Sequence, residues 1–386
     1  MSKSTRWKAW VLAGLVGSLT AGCGSAAGNS SAASKPPINV GVSAPLTGQF
    51  AQDGAWMKNG ITLAVKNINA HGGIDGRKIQ LFFEDDQGPN PTAAVNAVNA
   101  LITQDHVVAV IGPHFTPAML PAETIFAKYQ VPALTGATGP VITQQGNPWI
   151  FRIRLDDAIG AKLLVNYVLD HLHWKRIGLD YVNTSFGQSG IQAVKEALAA
   201  RGVQPVAVQD HLDTTKDFTP QILAFEQAHV DGIIVWTDDQ PGGLLAKQMA
   251  TLGAKFGLAG STTFSQPPFL TLAGSAANGA VAITDFVQNN PSPAIQAWDK
   301  QYRAVYGYDP ELYASTYYDA ANLLAYAMEH ARKIDGPDIQ KALAAISGYK
   351  GVMTTYTYSS NGDMVHAGLI TKVENGQPVI LARVQE

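Results

Sequence analysis

The sequence predicts an α/β protein built from two Rossmann-like lobes, and three observations carry that prediction. Short β-rich runs alternate with amphipathic helical periods from Ile38 onward, the pattern of a parallel sheet covered by helices. Several runs, such as 107–111 and 131–134, are continuously apolar, as strands buried on both faces must be. The series restarts near Phe151 and runs a second time without a sharp residue-level repeat, so two separate sheets are the economical arrangement.

In the first series, strands are expected at 38–42, 79–83, 107–111 and 131–134. Between them, Met57, Ile61, Ala64, Val65 and Ile68 share one helical face, and 91–103 and 121–129 read as two further helices. The second series reads as helix 158–172, strand 176–182, helix 190–200, strand 203–208, helix 220–228, strand 232–236 and helix 243–252. After a run at 281–286 the chain turns helical, at 293–306, 312–331 and 337–347. It closes with short strands near 353–358, 368–373 and 379–384, with Asn361-Gly362-Asp363 and Asn375-Gly376 as hairpin turns. The late helices have no parallel series of their own. They are expected to cover the first lobe, which requires three crossings between lobes.

The N-terminus carries a different signal. Lys3, Arg6 and Lys8 precede an apolar stretch at 9–19 that is too short to span a bilayer comfortably. Leu19-Thr20-Ala21-Gly22-Cys23 follows and resembles a bacterial lipobox, with the chain's single cysteine at the acylated position. Thr20 departs from the Leu, Val or Ile usual there. The alternative is an ordinary secretory signal that happens to hold a cysteine. The expected layout is a lipoprotein signal at 1–22 and a flexible Ser/Ala/Gly/Asn-rich tether at 23–37. Lobe 1 then takes 38–156 and 284–351, and lobe 2 takes 157–283 and 352–386. The chain is thus expected to be exported and anchored by lipid outside the cell membrane or in the periplasm.

Composition narrows the function. With 46% hydrophobic residues there is ample material for a sizeable core, and a net charge of −3 offers no basic footprint for nucleic acid. A single cysteine leaves no intramolecular disulfide. The sequence has no phosphate-binding loop, zinc-protease motif, nucleophile elbow or dinucleotide fingerprint. His171 and His173 are two apart on a helix and face different ways, so a shared metal is not expected. Glu84-Asp85-Asp86 could hold a metal, but reads more simply as a solvated strand end. No cofactor and no enzymatic activity are expected.

Several runs then resemble one family, the substrate-binding proteins of branched-chain amino acid ABC transporters. They include 38–42 leading to Pro45-Leu46-Thr47-Gly48, Gly60-Ile61, and above all Asn69-Ala70-His71-Gly72-Gly73-Ile74-Asp75-Gly76-Arg77-Lys78. Glu84-Asp85-Asp86, Val110-Ile111-Gly112, Gly136-Ala137-Thr138 and the 181–187 segment extend the likeness over nearly all the chain. The resemblance implies a Venus-flytrap fold of the type I periplasmic-binding-protein kind, with a small molecule between the lobes and ABC permease subunits as partners. The chain is expected to be monomeric and to touch the membrane through its lipid alone.

The resemblance also implies a site. The ligand carboxylate would meet a hydroxyl at Thr116 and backbone amides at Gly136, Ala137 and Thr138. Thr116-Pro117 further reads as a helix N-cap followed by proline, which would turn a helix N-terminus toward an anion. On the second lobe, a position that is Glu in many members falls on Thr262. Asp238 and Asp239 could supply the charge an ammonium needs. Phe186 falls where a pocket-lining Tyr is common, and Asp53 where a large side chain shapes the pocket. These departures leave open a sensor-type binding protein for an amide, urea or aromatic acid.

Overall fold

The computed structural model describes residues 35–288 and 290–385. The expected export signal and the expected lipidation at Cys23 lie outside the described residues. From Lys35 onward the chain forms one contact unit that contains two α/β lobes.

The first lobe opens with β1 (Ile38–Ala44), α1 (Ala51–Ala70), β2 (Ile79–Asp85), α2 (Pro91–Thr103), β3 (Ala109–Ile111), α3 (Thr116–Tyr129), β4 (Ala133–Thr135), α4 (Val141–Gln144) and β5 (Ile150–Arg152). Its sheet is all parallel in the order β2-β1-β3-β4-β5. The second lobe takes α5 (Asp157–Asp170), β6 (Ile177–Val182), α6 (Ser185–Ala200), β7 (Ala207–His211), α7 (Thr219–Gln227), β8 (Gly232–Trp236), α8 (Asp239–Leu252), β9 (Gly257–Gly260), α9 (Pro267–Ala273) and β10 (Val281–Thr284). The chain then returns through α10 (Pro293–Tyr306), α11 (Leu312–His330), α12 (Gly336–Leu343) and the short pair β11 (Tyr349–Lys350) and β12 (Thr355–Tyr356). It ends in β13 (Ala367–Glu374) and β14 (Gln377–Gln385), two antiparallel strands on the edge of the second sheet, whose order is β14-β13-β10-β9-β8-β6-β7.

Local chemistry explains many boundaries. Asn90 accepts from the amides of Thr92 and Ala93, with Pro91 in the first turn, and so starts α2. Glu311 starts α11 by accepting from Tyr313 and Ala314. Asn375 and Gly376 both take positive φ, 52° and 75°, as the two-residue hairpin between β13 and β14 requires. The late helices do cover the first lobe. α11 lies along α1, and Gly60 permits that approach, since a Cβ there would sit 2.1 Å from the Ala314 carbonyl oxygen.

The run near Phe151 forms β5, which pairs with β4, and the second series begins at α5. Four readings need correction. The strand expected at 203–208 forms later, as Ala207–His211, and the run at 353–358 keeps only two paired residues. The third passage between sheets falls later than position 351. Asp363 still bridges Arg152 at the end of β5, and the second sheet is entered at Ala367. Finally, Glu84-Asp85-Asp86 is not simply a solvated end. Asp86 is buried and bonded to Ser43 and the Gly88 amide, while Asp85 accepts from the amides of Leu46, Thr47 and Gln87.

Candidate ligand-binding site

A cavity partly open to solvent lies where the carboxyl ends of the two sheets meet. Its position follows from the strand orders. In the first sheet β1 lies between β2 and β3, and in the second β6 lies between β7 and β8. Loops leaving such neighbouring strands diverge to opposite faces and open a crevice between them.

On the first lobe, β1 leads to Phe50 and Asp53, and β3 leads to His114, Phe115 and Thr116. Gly112, at φ 99° and with a Cβ position 2.1 Å from the Ser43 carbonyl, lets the chain turn off β3. Thr116 is not the N-cap the sequence suggested. Phe115 holds that position, and the Thr116 hydroxyl accepts the Gly139 amide at 3.1 Å instead. The hydroxyl thereby braces the loop after β4. In that loop the Gly136 amide donates to the Tyr317 hydroxyl (3.1 Å) and the Ala137 amide to Thr135 Oγ1 (3.0 Å). Ala137 is buried behind the cavity wall and does not line it. Thr138 does line it, and its hydroxyl donates to Asp157 (3.0 Å) while the Asp157 amide returns a bond to the Thr138 carbonyl.

On the second lobe, β6 leads to Phe186 and β8 to Asp238 and Asp239 at the start of α8. Asp238 occupies the N-cap position, yet its carboxylate accepts no helix amide. The end of β8 is held by a buried chain in which His211 lies between Asp180 (3.0 Å) and the Thr237 hydroxyl (2.7 Å). Thr262 and its neighbours follow β9. Thr262 accepts from Arg154 (3.1 Å) and donates to the Ile283 carbonyl (3.2 Å), so it serves the wall and carries no charge.

Arg154 lies in the first crossing, and Asp285 in the second. Arg154 donates through Nε and Nη2 to both carboxylate oxygens of Asp285. Its Nη1 makes no bond within the described residues. Burial disfavours the guanidinium charge, but the Asp285 carboxylate outweighs that and raises its pKa further.

The electrostatics are dominated by carboxylates. Asp53, Asp157, Asp238 and Asp239 all line the cavity, against the one guanidinium of Arg154. Burial, with Asp239, Glu311 and Asp238 nearby, holds the Asp53 carboxyl well above its ordinary range. Burial and the Asp238 charge push Asp239 up to about 7. Burial raises Asp238 to about 6 and Asp157 to about 7. Glu311, just behind this group, is raised by burial to about 8 despite its two amide bonds. His114 is kept neutral by burial and by Arg154.

The cavity therefore brings together Thr116, Gly136, Thr138, Phe186, Asp238, Asp239, Thr262 and Asp53, and leaves out Ala137. Sequence reasoning missed Arg154, Asp157, His114 and Tyr313. Arg154 and Asp157 flank a strand-to-helix crossing, which the restart of the pattern near Phe151 did mark. Tyr313 comes from α11, an element whose link to the cavity is purely tertiary.

Two α/β lobes with a lined cavity between their strand ends are an architecture that can hold a small molecule between them. The sequence matches the family described as "Periplasmic binding protein" over residues 37–378, and the chain belongs to that family. It is 29% identical over 329 residues to Leu/Ile/Val-binding protein homolog 1 of Brucella suis, covering 84% of this chain and 87% of that protein. It is also 29% identical over 331 residues to the Leu/Ile/Val-binding protein BraC3 of Rhizobium johnstonii (85% and 89% covered). Among solved structures it is similar to the branched-chain amino acid transporter substrate binding protein LivJ from Streptococcus pneumoniae in complex with isoleucine. That likeness has a TM-score of 0.83 at 25% identity, with 91% and 100% covered. The fold is equally shared, at TM-score 0.82 but 19% identity, with an R. palustris solute binding protein in complex with benzoate, covering 91% and 98%.

Proposed function

We propose that this chain is the extracytoplasmic solute receptor of an ABC importer. It captures an amino acid or similar small ligand in the interlobe cavity and delivers it to permease subunits. The observation that carries this reading is the polarity of the cavity. Asp53 apart, the first-lobe wall offers the Thr116 hydroxyl, the Thr138 loop and the start of α3, which suit a carboxylate. The second-lobe wall offers Asp238 and Asp239, which suit an ammonium. Arg154 Nη1 is a further donor for the ligand carboxylate. Phe50, Phe115, Phe186 and Tyr313 supply apolar surface for a side chain. The relatives of B. suis and R. johnstonii, described as Leu/Ile/Val-binding, support an amino-acid ligand. The excess of cavity carboxylates argues against an aromatic acid, the alternative the sequence left open. Lipid anchoring at Cys23 and a monomeric state complete the proposal.

A thermal-shift and calorimetric screen over amino acids, amides and aromatic acids tests it. A ligand at about 100 times its Kd adds about 2.7 kcal/mol of stability. Stabilisation by amino acids is expected. Stabilisation by amides or aromatic acids alone would replace this reading with the sensor-type one.

A further inference from the structure

We propose that the ligand of this cavity carries two cationic nitrogens, as a basic amino acid or a diamine does. The inference rests on the solute-receptor reading and names its ligand class. One α-ammonium is served by Asp238 and Asp239 on the second lobe. That leaves Asp53, on the opposite wall, without a role. Asp53 is 6% exposed, lines the cavity, and accepts no hydrogen bond from any described residue. A carboxylate so enclosed is costly to keep unpaired.

The protein does not supply the missing charge. Among the described residues no lysine lines the cavity. The guanidinium of Arg154 is matched by Asp285 and shared with Thr262. The fourth carboxylate of the walls, Asp157, is already bonded to Thr138. The aromatic faces beside Asp53 suit a cation as well as they suit an alkyl chain: Phe50 and Phe115 have ring centroids 4.7 Å apart, and Tyr313 lies in the same wall. A ligand with one nitrogen at Asp238 and Asp239 and a second at Asp53 would place a positive charge against the carboxylates of each wall.

The charged and titratable groups facing Asp53 are Asp239 and Asp238 from α8, and Glu311 and Tyr313 at the start of α11. Arg154 and the neutral His114 complete that surrounding. Burial and mutual repulsion keep the acids partly protonated when no cation is present. A dication that ionises them must therefore release protons on binding.

Calorimetry on the purified protein tests this, with isoleucine, lysine, arginine and pentane-1,5-diamine as probes. Near pH 8, at least one dication is expected to bind about tenfold or more tighter than isoleucine, and to lose about tenfold between pH 8 and pH 5.5. Repeating the titration in buffers of different ionisation enthalpy should show proton release. Asp53→Asn should cost the dication about tenfold and isoleucine much less. Asp239→Asn, on the other lobe, provides a second variant, and the wild-type pH profile needs none. If the diamine binds as well as lysine, the inference stands and the ligand needs no carboxylate. Tighter binding of isoleucine, without pH dependence, overturns the inference and leaves the receptor reading intact. Absence of binding by every amino acid and amine overturns both.

Discussion

Arg154 and Asp285 tie two of the interlobe connections to each other at the wall of the cavity. Arg154 donates to Asp285 through Nε (3.0 Å) and Nη2 (2.9 Å), and the Leu155 amide adds a third bond to the same carboxylate at 3.3 Å. Both side chains are almost fully buried. Removing Asp285 would strand a buried guanidinium. Asp285→Ala is therefore expected to destabilise the ligand-free protein by about 3–5 kcal/mol, measured by denaturant unfolding. A loss below about 1 kcal/mol would mean that water or another acid replaces Asp285.

The carboxylates of the cavity make a prediction about pH. Burial raises Asp238 to about 6, Asp157 and Asp239 to about 7, and Glu311 to about 8. Each has a folded pKa above its unfolded one, so the fold favours the neutral acid. Their contribution is fully present below the unfolded values near 4 and is lost as pH rises through about 6–8. Stability of the ligand-free protein should therefore fall between about pH 5 and pH 8. Asp239→Asn should remove part of that slope and raise stability at pH 8 by about 1–2 kcal/mol. A flat profile over that window would show that these acids titrate normally.

Thr116 has two roles that can be separated. Its hydroxyl accepts the buried Gly139 amide and also lines the cavity. Thr116→Val leaves that amide without a partner and should cost about 1–3 kcal/mol of stability. Thr116→Ser restores the acceptor and should restore stability. If the hydroxyl also meets the ligand carboxylate, Thr116→Val weakens binding by about 1–3 kcal/mol when compared on folded protein. Wild-type affinity in Thr116→Val would confine this residue to bracing the loop.

The parts legible in the sequence were those written in a repeated pattern. The strand-helix alternation revealed two lobes because every sheet-facing helix must repeat apolar residues at helical spacing. The expected starts of α3, α6 and α8, at positions 121, 190 and 243, were late. The helices begin at Thr116, Ser185 and Asp239. The missing turns are those that face the cavity. A turn that faces a cleft packs against no sheet, so it carries no apolar period and reads as loop. Thr116, Phe186 and Asp239 were found by resemblance rather than by periodicity. Tyr313 was not found, because only the return of α11 across the first lobe brings it to the wall. Arg154 was missed for a related reason: its partner is 131 positions away.

The last prediction concerns closure. Asp53 belongs to the first lobe and Asp239 to the second, and the Asp239 charge raises the pKa of Asp53, Glu311 and Tyr313 across the cavity. Three connections join the lobes, so rotation can occur without breaking either core. Carboxylates facing one another across a poorly hydrated gap repel, and that repulsion favours an open arrangement when no cation is bound. A ligand that presents a cationic nitrogen to each of them reverses the sign of the interaction and favours closure. Small-angle scattering should then show a smaller radius of gyration with saturating ligand. Without ligand, the Asp53→Asn, Asp239→Asn double variant should be more compact than wild type at pH 8 and indistinguishable from it near pH 5, where the acids are already neutral. A radius that does not respond to a verified ligand would remove hinge closure. A double variant identical to wild type at both pH values would show that closure depends on other contacts and not on this pair.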